Sequence, residues 1–343
     1  MYIHQHSCIS PQQRGNQPNL ETISASIDGK MMAIEPTLEG VPPGMLRRMS
    51  KAVRMGIGTG LPLLKDKEVA GIIVGSANGG MQECIKFLNQ IVDYDEGLLT
   101  PGNFVQSTPN AIAGQLSIIT KNHGYNATHV HNGLSFENAL LDARMMIAEN
   151  SGKTFLVGGV DEISTYNYTV DTLAGWYDSS KSNISIYENP SPATVAGEGS
   201  AMFLVNDRRE NAIAKIEAIE LFHSSDEAYA TTRIRQFLER YLKNAEDYLL
   251  LTGENGDQRF ISFYQNGEAL CPSTVTVARF KHTTGEFPTA TAIALWLSCL
   301  AIQEGNLPTH FYKQSSRLRP INKVLIYNQY QGQQHSLLLI SKD

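Results

Sequence analysis

The sequence has few charged residues and no basic run, and each shortage excludes a class of protein. Charged residues make up 18% of the 343 residues, and the formal net charge is −6. Without a basic cluster, no surface is suited to neutralise phosphates, so we do not expect a nucleic-acid partner. No segment approaches the ~20 apolar residues of a spanning helix, and no targeting signal is recognisable near Met1. These features predict a cytoplasmic protein without membrane insertion.

Cysteines are also scarce. The four of them are far apart and form no CxxC pair, which argues against a disulfide framework and against a zinc site. A reducing compartment fits this usage, and we expect neither a metal nor another cofactor. Cys84 and Cys299 fall on apolar faces of predicted helices, where a thiol is typically an inert core group.

What the sequence does have is hydrophobic content, 42% of its residues, enough for a large core. Short apolar runs such as "VAGIIVGSANGG" and "KTFLVGGVDEIS" alternate with helical segments through the first 170 residues. This alternation predicts α/β layering around a mostly parallel sheet. The rest of the chain repeats the rhythm more weakly, so we predict two βα halves, 1–207 and 208–343, that share one core.

The stretch "YNATHVHNGLSFENALLDA", residues 125–143, begins as a strand, breaks at Gly133 and resumes as an amphipathic helix. Enzymes that form carbon–carbon bonds through a cysteine thioester carry the cysteine at a bend of this kind. The glycine raises the question of whether the nucleophile has been lost or replaced.

Several stretches coincide, in order, with signatures of one family. They are "YIHQHSCISP", "GIIVGSANGG", "GGVDE", "AGEGSAMFLV" and "KHTTGEFPTATAIALWLSCLAIQEGNLP", together with the strand and helix around Gly133. Through them the chain resembles the β-ketoacyl synthases of the thiolase fold over nearly its whole length, with a shortened second half. The resemblance implies an α/β, thiolase-like fold: two βα halves related by pseudo-two-fold symmetry, in α-β-α-β-α layers.

The family works with a cysteine, two histidines that help decarboxylate a malonyl group, and a lysine. The resemblance places the cysteine position at Gly133, since Ala139 and Ala143 match the small residues that follow that cysteine. It places the first histidine at Asn266 in "YQNGEA" and the second at Glu286 in "TTGE". Lys281 alone is retained, and we expect no catalytic residues.

These substitutions matter chemically. Glycine offers no atom to hold an acyl group, and Glu137 in the first helical turn would oppose a nearby thiolate. Asn266 can still donate a hydrogen bond to an enolate, whereas Glu286 can only accept unless it is protonated. The glycine-rich loop of the family is reduced to Gly332 in "NQYQGQQHS".

Other readings of these residues stay open. Ser135 could replace the nucleophile, although it fits an N-cap better. His129 and His131 share one face of a strand and could bind a metal, but no third ligand is evident, and the family places this strand at a dimer contact. Lys281 and Glu286 could form a buried salt bridge with a structural role only.

Chain-length factors of type II polyketide systems resemble ketosynthases, lack the cysteine and pair with the active subunit. The resemblance therefore implies a non-catalytic subunit of a heterodimer that works with an acyl carrier protein. The shortened form is most similar to ketosynthase-like proteins of aryl polyene and flexirubin-type pigment biosynthesis. In family terms, the candidates for closing an acyl tunnel are Phe104, Val105, Gln106 and Asn110; their alternative reading is a surface loop and a helix cap.

Two alternatives belong to other functional classes. The chain could be a malonyl-thioester decarboxylase or hydrolase that uses Asn266, Glu286 and Lys281 without covalent catalysis. It could instead be a homodimer that binds fatty acyl groups.

Overall fold

The computed structural model describes residues 1–14, 17–38, 40–243, 247–314 and 320–342. The helices are α1 (Pro43–Leu46), α2 (Lys51–Leu64), α3 (Met81–Asp93), α4 (Pro101–Gln106), α5 (Ala111–Thr120), α6 (Ser135–Glu149), α7 (Thr165–Leu173), α8 (Glu227–Tyr241), α9 (Ile261–Ala269), α10 (Lys281–Thr284) and α11 (Ala290–Glu304). The strands are β1 (Tyr2–Ile9), β2 (Gln13–Arg14), β3 (Gln17–Pro18), β4 (Lys30–Met31), β5 (Gly71–Gly75), β6 (Tyr125–His129), β7 (Phe155–Asp161), β8 (Ala196–Gly197), β9 (Gly199–Asn206), β10 (Ala214–His223), β11 (Leu249–Thr252), β12 (Thr276–Arg279), β13 (Lys323–Tyr330) and β14 (Gln334–Ser341).

The main sheet is built from one arrangement used twice. Its strand order is β12-β11-β13-β14-β10-β1-β9-β7-β5-β6, so each half reads outward in the same pattern from the central β10–β1 pair. In both halves the outer three strands are parallel and the inner contacts antiparallel. This is the predicted pseudo-two-fold symmetry. The division at residue 207 itself stays a prediction.

Helices cover the sheet in layers. In β5, Ile73 faces the central helices α6 and α11, while Ile72 and Val74 face α2 and α5 on the outside. On the second half, α8 and α9 form the other outer layer over β11, β13 and β14. Because side chains alternate along a strand, fully apolar strands suit a sheet that is covered on both faces. The α-β-α-β-α layering is confirmed.

The central helices explain why the sequence specifies this arrangement. α11 is apolar around nearly its whole circumference and is buried along most of its length, as expected of a helix between two sheets. The start of α6 lies close against β5, because a Cβ added to Gly75 would be 2.5 Å from the backbone nitrogen of Phe136. Glycine at this strand end therefore sets the position of the bend that precedes α6.

Candidate functional site

The predicted strand-to-helix bend is present. β6 ends at His129, and a 3-10 turn, Asn132–Leu134, leads directly into α6. Gly133 lies in this turn and is buried. Residue 133 thus stands where free backbone N–H groups and the helix dipole could activate a nucleophile.

A side chain at residue 133 would have no room, because Tyr330 occupies the space. A Cβ added to Gly133 would overlap the Cβ of Tyr330 and lie 2.5 Å from its Cγ, closer than real Cβ atoms come to a neighbour. Tyr330 is the last residue of β13, and burial raises the pKa of its phenol well above the usual range. The second half of the chain therefore fills the position that a cysteine side chain would need.

The backbone N–H of residue 133 is occupied as well. It donates to Oε1 of Gln334 over 2.8 Å, and the amide of Gln334 donates in turn to the carbonyl oxygen of His131 over 3.3 Å. An N–H at such a bend could otherwise stabilise a developing oxyanion. Here the side chain of Gln334 accepts this N–H in place of an oxyanion.

Lys281 and Glu286 form a buried ion pair. Nζ of Lys281 lies 2.5 Å from Oε2 of Glu286, and Lys281 has no solvent exposure. Burial raises the pKa of the Glu286 carboxyl and lowers the pKa of the Lys281 amine, because desolvation disfavours both charged forms and the mutual attraction offsets this only in part. The other carboxylate oxygen, Oε1 of Glu286, has no hydrogen-bond partner among the described residues.

The third member of this cluster is Asn255, not Asn266. Asn255 follows β11 in a short loop, and its Nδ2 donates to Oε2 of Glu286 over 2.6 Å. Asn266 lies on α9, where its amide reaches Glu227 on α8 over 3.4 Å. The structure therefore does not bring Asn266 to Lys281 and Glu286. Like the family histidine, Asn255 directly precedes a glycine, so its place right after a buried strand was the signal that could have identified it.

Glu137 adds a second buried carboxylate beside this cluster. Its Oε1 accepts from the hydroxyl of Ser336 over 2.8 Å, and its Oε2 has no partner among the described residues. Burial raises the pKa of Glu137 to about 7, against the opposing effect of hydrogen bonds and of the positive charge of Lys281. Glu137, the carboxyl predicted to oppose a thiolate, is thus buried in the first turn of α6, four residues after Gly133.

Ser135 has no means of becoming a nucleophile in this arrangement. It is the first residue of α6 and does not cap it. Its hydroxyl donates to the carbonyl oxygen of Asn132 and accepts from the N–H of His131, each over 2.8 Å. A catalytic serine needs an adjacent base, and neither of these partners is one.

The predicted histidine pair packs along α6. Nε2 of His129 lies 2.7 Å from Oδ2 of Asp142, and Nδ1 of His131 lies 3.3 Å from the amide of Asn138. Asn138 and Asp142 are one helical turn apart, so the two imidazoles pair with successive turns of α6. Within the described ranges, no group of three or more His, Cys, Asp or Glu residues could hold a metal ion.

A crevice of about 10 Å³ reaches Glu286. Its lining residues are Trp176, Tyr177, Thr194, Asn255, Asp257, Phe260, Glu286, Tyr330 and Gln331. A volume of this size accommodates about one water molecule. Ligand pockets in proteins are typically some 300–1,000 Å³, so the interior is closed to an acyl thioester in this conformation.

The candidate tunnel residues divide into two kinds. Phe104 and Val105 on α4 are exposed by 60% and 58%. Gln106 points inward, and its Oε1 accepts the N–H of Ser50 over 2.6 Å. Asn110 precedes α5 without capping it and accepts from the hydroxyl of Thr128 on β6. Phe104, Val105 and Asn110 are thus exposed, whereas Gln106 is buried.

We use the name β6 surface for the edge strand β6 together with the exposed apolar residues of the segments that precede and follow it. Its exposed members are Leu88, Val92, Leu98, Phe104, Val105, Ile118 and Val130. Phe104 is 5.3 Å from Phe87 of α3, measured between ring centroids, so α3 and α4 form one patch. β6 closes this side of the sheet and pairs with β5 alone.

The opposite edge of the sheet is different. β12 is the symmetry equivalent of β6, and its outer side is covered by the chain around Tyr312. Ala278 forms a bridge with Tyr312, and the N–H of Lys313 donates to the carbonyl oxygen of Val277 over 2.9 Å. Open edge strands readily pair with another chain, and in the part of the chain that the structure describes β6 is the open one of the two.

None of the described helices is long and apolar enough to cross a bilayer. The buried thiol of Cys299 has its pKa raised by burial and stays protonated, as expected of a core residue.

Comparisons with known proteins agree with this fold. Residues 22–173 match the family model described as "Beta-ketoacyl synthase, N-terminal domain". A search of curated protein sequences gives no match. The resemblance to β-ketoacyl synthases is thereby confirmed.

Solved structures share the fold over the whole chain. A β-ketoacyl synthase from Burkholderia phymatum STM815 superimposes with a TM-score of 0.76 at 14% identity, covering 100% of this chain and 99% of that one. The ketosynthase ApeO in complex with its chain length factor ApeC from Xenorhabdus doucetiae gives 0.76 at 14% identity, with 99% and 97% covered. The ishigamide ketosynthase/chain length factor gives 0.70 at 18% identity, with 99% and 98% covered. The thiolase-like ketosynthase fold is therefore that of this chain.

Proposed function

We propose that this chain is a non-catalytic ketosynthase-like subunit, of the chain-length-factor type, that pairs with a cysteine-bearing β-ketoacyl synthase. The observation that carries this proposal is the double occupation of residue 133. Tyr330 takes the space of the missing side chain, and Gln334 takes the backbone N–H. A simple loss of cysteine would leave both free.

The remaining polar groups do not supply another chemistry. Decarboxylation of a malonyl thioester builds negative charge on an enolate oxygen, which hydrogen-bond donors must stabilise. The nearest amide donor, Nδ2 of Asn255, is bound to Glu286, and Glu286 is also the partner of Lys281. An anion in this place would compete with an existing carboxylate for every donor.

The surface supports the pairing. The β6 surface combines an open strand edge with exposed apolar side chains, the features of a contact that adds a strand and buries hydrophobic area. Ketosynthase and chain length factor form complexes in the ApeO and ApeC structure and in the ishigamide system. By analogy we place the active ketosynthase against β6 of this chain.

Within such a heterodimer, Phe104 and Val105 would face the partner's acyl chain and limit its growth, while Gln106 and Asn110 would hold α4 and α5 in position. A carrier protein is bound to its ketosynthase in the AntDE and AntF complex, and we propose an acyl carrier protein as the third component. We place the heterodimer in the cytoplasm and in polyketide or fatty-acid-like biosynthesis of aryl polyene or flexirubin-type pigments.

The test is co-expression of this chain with a tagged ketosynthase from the same organism. We expect a stable one-to-one complex whose chain extension on acyl carrier protein requires both subunits. The isolated chain should release no carbon dioxide from malonyl carrier protein above the level of heat-denatured protein. The matched control is the same ketosynthase expressed alone.

Two results would overturn the proposal in different directions. Carbon dioxide release by the isolated chain that Lys281→Ala or Asn255→Ala abolishes would identify a decarboxylase. A homodimer that copurifies with fatty acyl groups and ignores the ketosynthase would identify an acyl-binding protein.

A further inference from the structure

Trp176 and Phe260 line the crevice that reaches Glu286, and their rings lie against each other and against Arg259. The rings of Trp176 and Phe260 are 6.1 Å apart between centroids and inclined by 23°. The guanidinium carbon of Arg259 lies 4.7 Å from the Trp176 centroid and 5.3 Å from that of Phe260. We call this group the Trp176 stack.

Arg259 is held in this position by contacts with Asp257 and Gly175. Its Nε is 2.9 Å from Oδ1 of Asp257 and its Nη2 is 2.5 Å from Oδ2, a two-pronged contact with a carboxylate that is almost fully buried. The same Nη2 donates to the carbonyl oxygen of Gly175 over 2.9 Å. Such forked contacts restrain both position and orientation, so Arg259 links the loop after β11 to the loop after α7.

A third segment is tied to the same group. Gly332, in the turn between β13 and β14, has a φ of +66°, and a Cβ there would lie 2.5 Å from the ring of Phe260. This turn also carries Tyr330, whose ring fills the space at residue 133. The chain segment from Tyr330 to Gly332 therefore contacts both the Trp176 stack, through Gly332, and residue 133, through the ring of Tyr330.

We propose that the Trp176 stack is a closed lid over a former substrate entrance, which keeps a thioester carried on a long flexible arm out of this subunit. The proposal rests on the proposed function, because a carrier protein shared by two related subunits must deliver its cargo to only one of them. Arg259 is then an excluding residue: it closes this entrance and leaves the partner's open.

The lid can be tested in the isolated chain with a thiol reporter inside the crevice. Thr194 lines the crevice and is buried, and Thr194→Cys changes its size little. The probe is the chloroacetyl amide of aminopantetheine, in which an amine replaces the pantetheine thiol; its length imitates the carrier arm, and the reporter thiolate displaces its chloride. Labelling at this site is followed by peptide mass spectrometry to separate it from the native cysteines. Tyr330→Cys provides a second reporter with the inner plug removed.

With the lid intact, we expect slow labelling of either reporter relative to the urea-unfolded chain. Adding Arg259→Ala should speed labelling of the folded Tyr330→Cys protein by about tenfold or more, the factor that roughly 1.4 kcal/mol of opening free energy produces. The matched control is Arg233→Ala. Arg233 also pairs with a carboxylate and lies over two rings, but on α8, away from the crevice.

A labelling rate that Arg259→Ala leaves unchanged, or that Arg233→Ala raises equally, overturns the lid. Absence of probe labelling in every folded variant, while the unfolded chains react, overturns the entrance itself. Neither result depends on the ketosynthase, so the lid can fail while the pairing stands, and the reverse.

Discussion

The interior around residue 133 and the β6 surface occupy adjoining parts of the molecule and differ in every physical respect. The interior is filled: a tyrosine ring, an amide, an ion pair and a second carboxylate leave space for about one water molecule. The β6 surface is the reverse, an open strand edge with large apolar side chains in solvent. The interior leaves little room for a substrate, whereas the β6 surface leaves large apolar side chains in contact with solvent.

Each of these two regions places its own physical constraint on the structure. Buried polar groups must keep their partners for the core to form. Exposed apolar groups on an edge persist only at a cost in solubility unless another molecule covers them. Four changes, in the interior around residue 133 or at the β6 surface, test this difference; they follow in order of decreasing expected effect.

The largest effect should follow from Lys281→Met, which would leave the Glu286 carboxylate buried without its cation. We expect the free energy of unfolding to fall by about 3–5 kcal/mol, the usual cost of breaking a buried pair from one side. Urea denaturation of the isolated chain measures it. The double variant Lys281→Met/Glu286→Leu should recover much of the loss, whereas a catalytic lysine without structural value would give no loss in the single variant.

The second effect is a pH dependence that Glu137 imposes. Burial raises the pKa of Glu137 to about 7 from a usual value of 4.5. The folded state is therefore more stable when Glu137 is protonated. The contribution of protonated Glu137 to the free energy of unfolding, on the order of 3 kcal/mol, is complete below pH 4.5 and is lost as the pH rises through about 7. Burial also raises the pKa of Asp161 to about 6 and of Glu162 to about 7, so the stability of the wild-type chain should fall over the same window.

Glu137→Gln isolates the first of these groups. Denaturation curves between pH 4.5 and 8 should show a smaller decline for this variant than for the wild-type chain. An equal decline in both would mean that Glu137 remains ionised in the fold.

The third effect concerns Gly133. Gly133→Cys should destabilise the chain by about 1–3 kcal/mol through overpacking against Tyr330, and should give no condensing activity. Adding Tyr330→Ala should relieve the steric part, which thermal denaturation of the single and double variants can show. Full stability of the single variant would prove that the tyrosine ring moves aside easily and that the interior is not closed.

The smallest effect should be at the surface. Phe104→Glu should weaken binding of the ketosynthase by roughly 2 kcal/mol, about thirtyfold, as for a central apolar contact of an interface. The stability of the isolated chain should change little, because Phe104 is mostly exposed. Tyr229→Glu on α8, also an exposed aromatic residue, is the matched control. Equal weakening by both variants would show that the ketosynthase does not bind at the β6 surface.

Much of the fold follows from the sequence because its signals are local. Buried strands such as β7 read as continuous apolar runs. The repeated strand order was not accessible by that route, because it depends on which strands pair across long separations. The symmetry was inferred from the family resemblance instead.

The site was predictable only where a motif fixes spacing. Glu286 follows Lys281 by five residues, and the predicted salt bridge between them is present in the structure. The resemblance placed the first family histidine at Asn266, and nothing in the local sequence shows that Asn255, which also precedes a glycine and an acidic residue, lies beside Glu286 instead. Tyr330 and Gln334 had no local signal at all, since their meaning depends on contact with a residue about two hundred positions earlier.

The hydrogen bond from Gly133 to Gln334, together with the tyrosine ring beside it, makes this state hard to leave in evolution. A single codon change that restores a cysteine would meet an occupied cavity and a carboxylate neighbour, so it would bring a folding defect before any benefit. A side chain at residue 133 would therefore require Tyr330 and Gln334 to change as well.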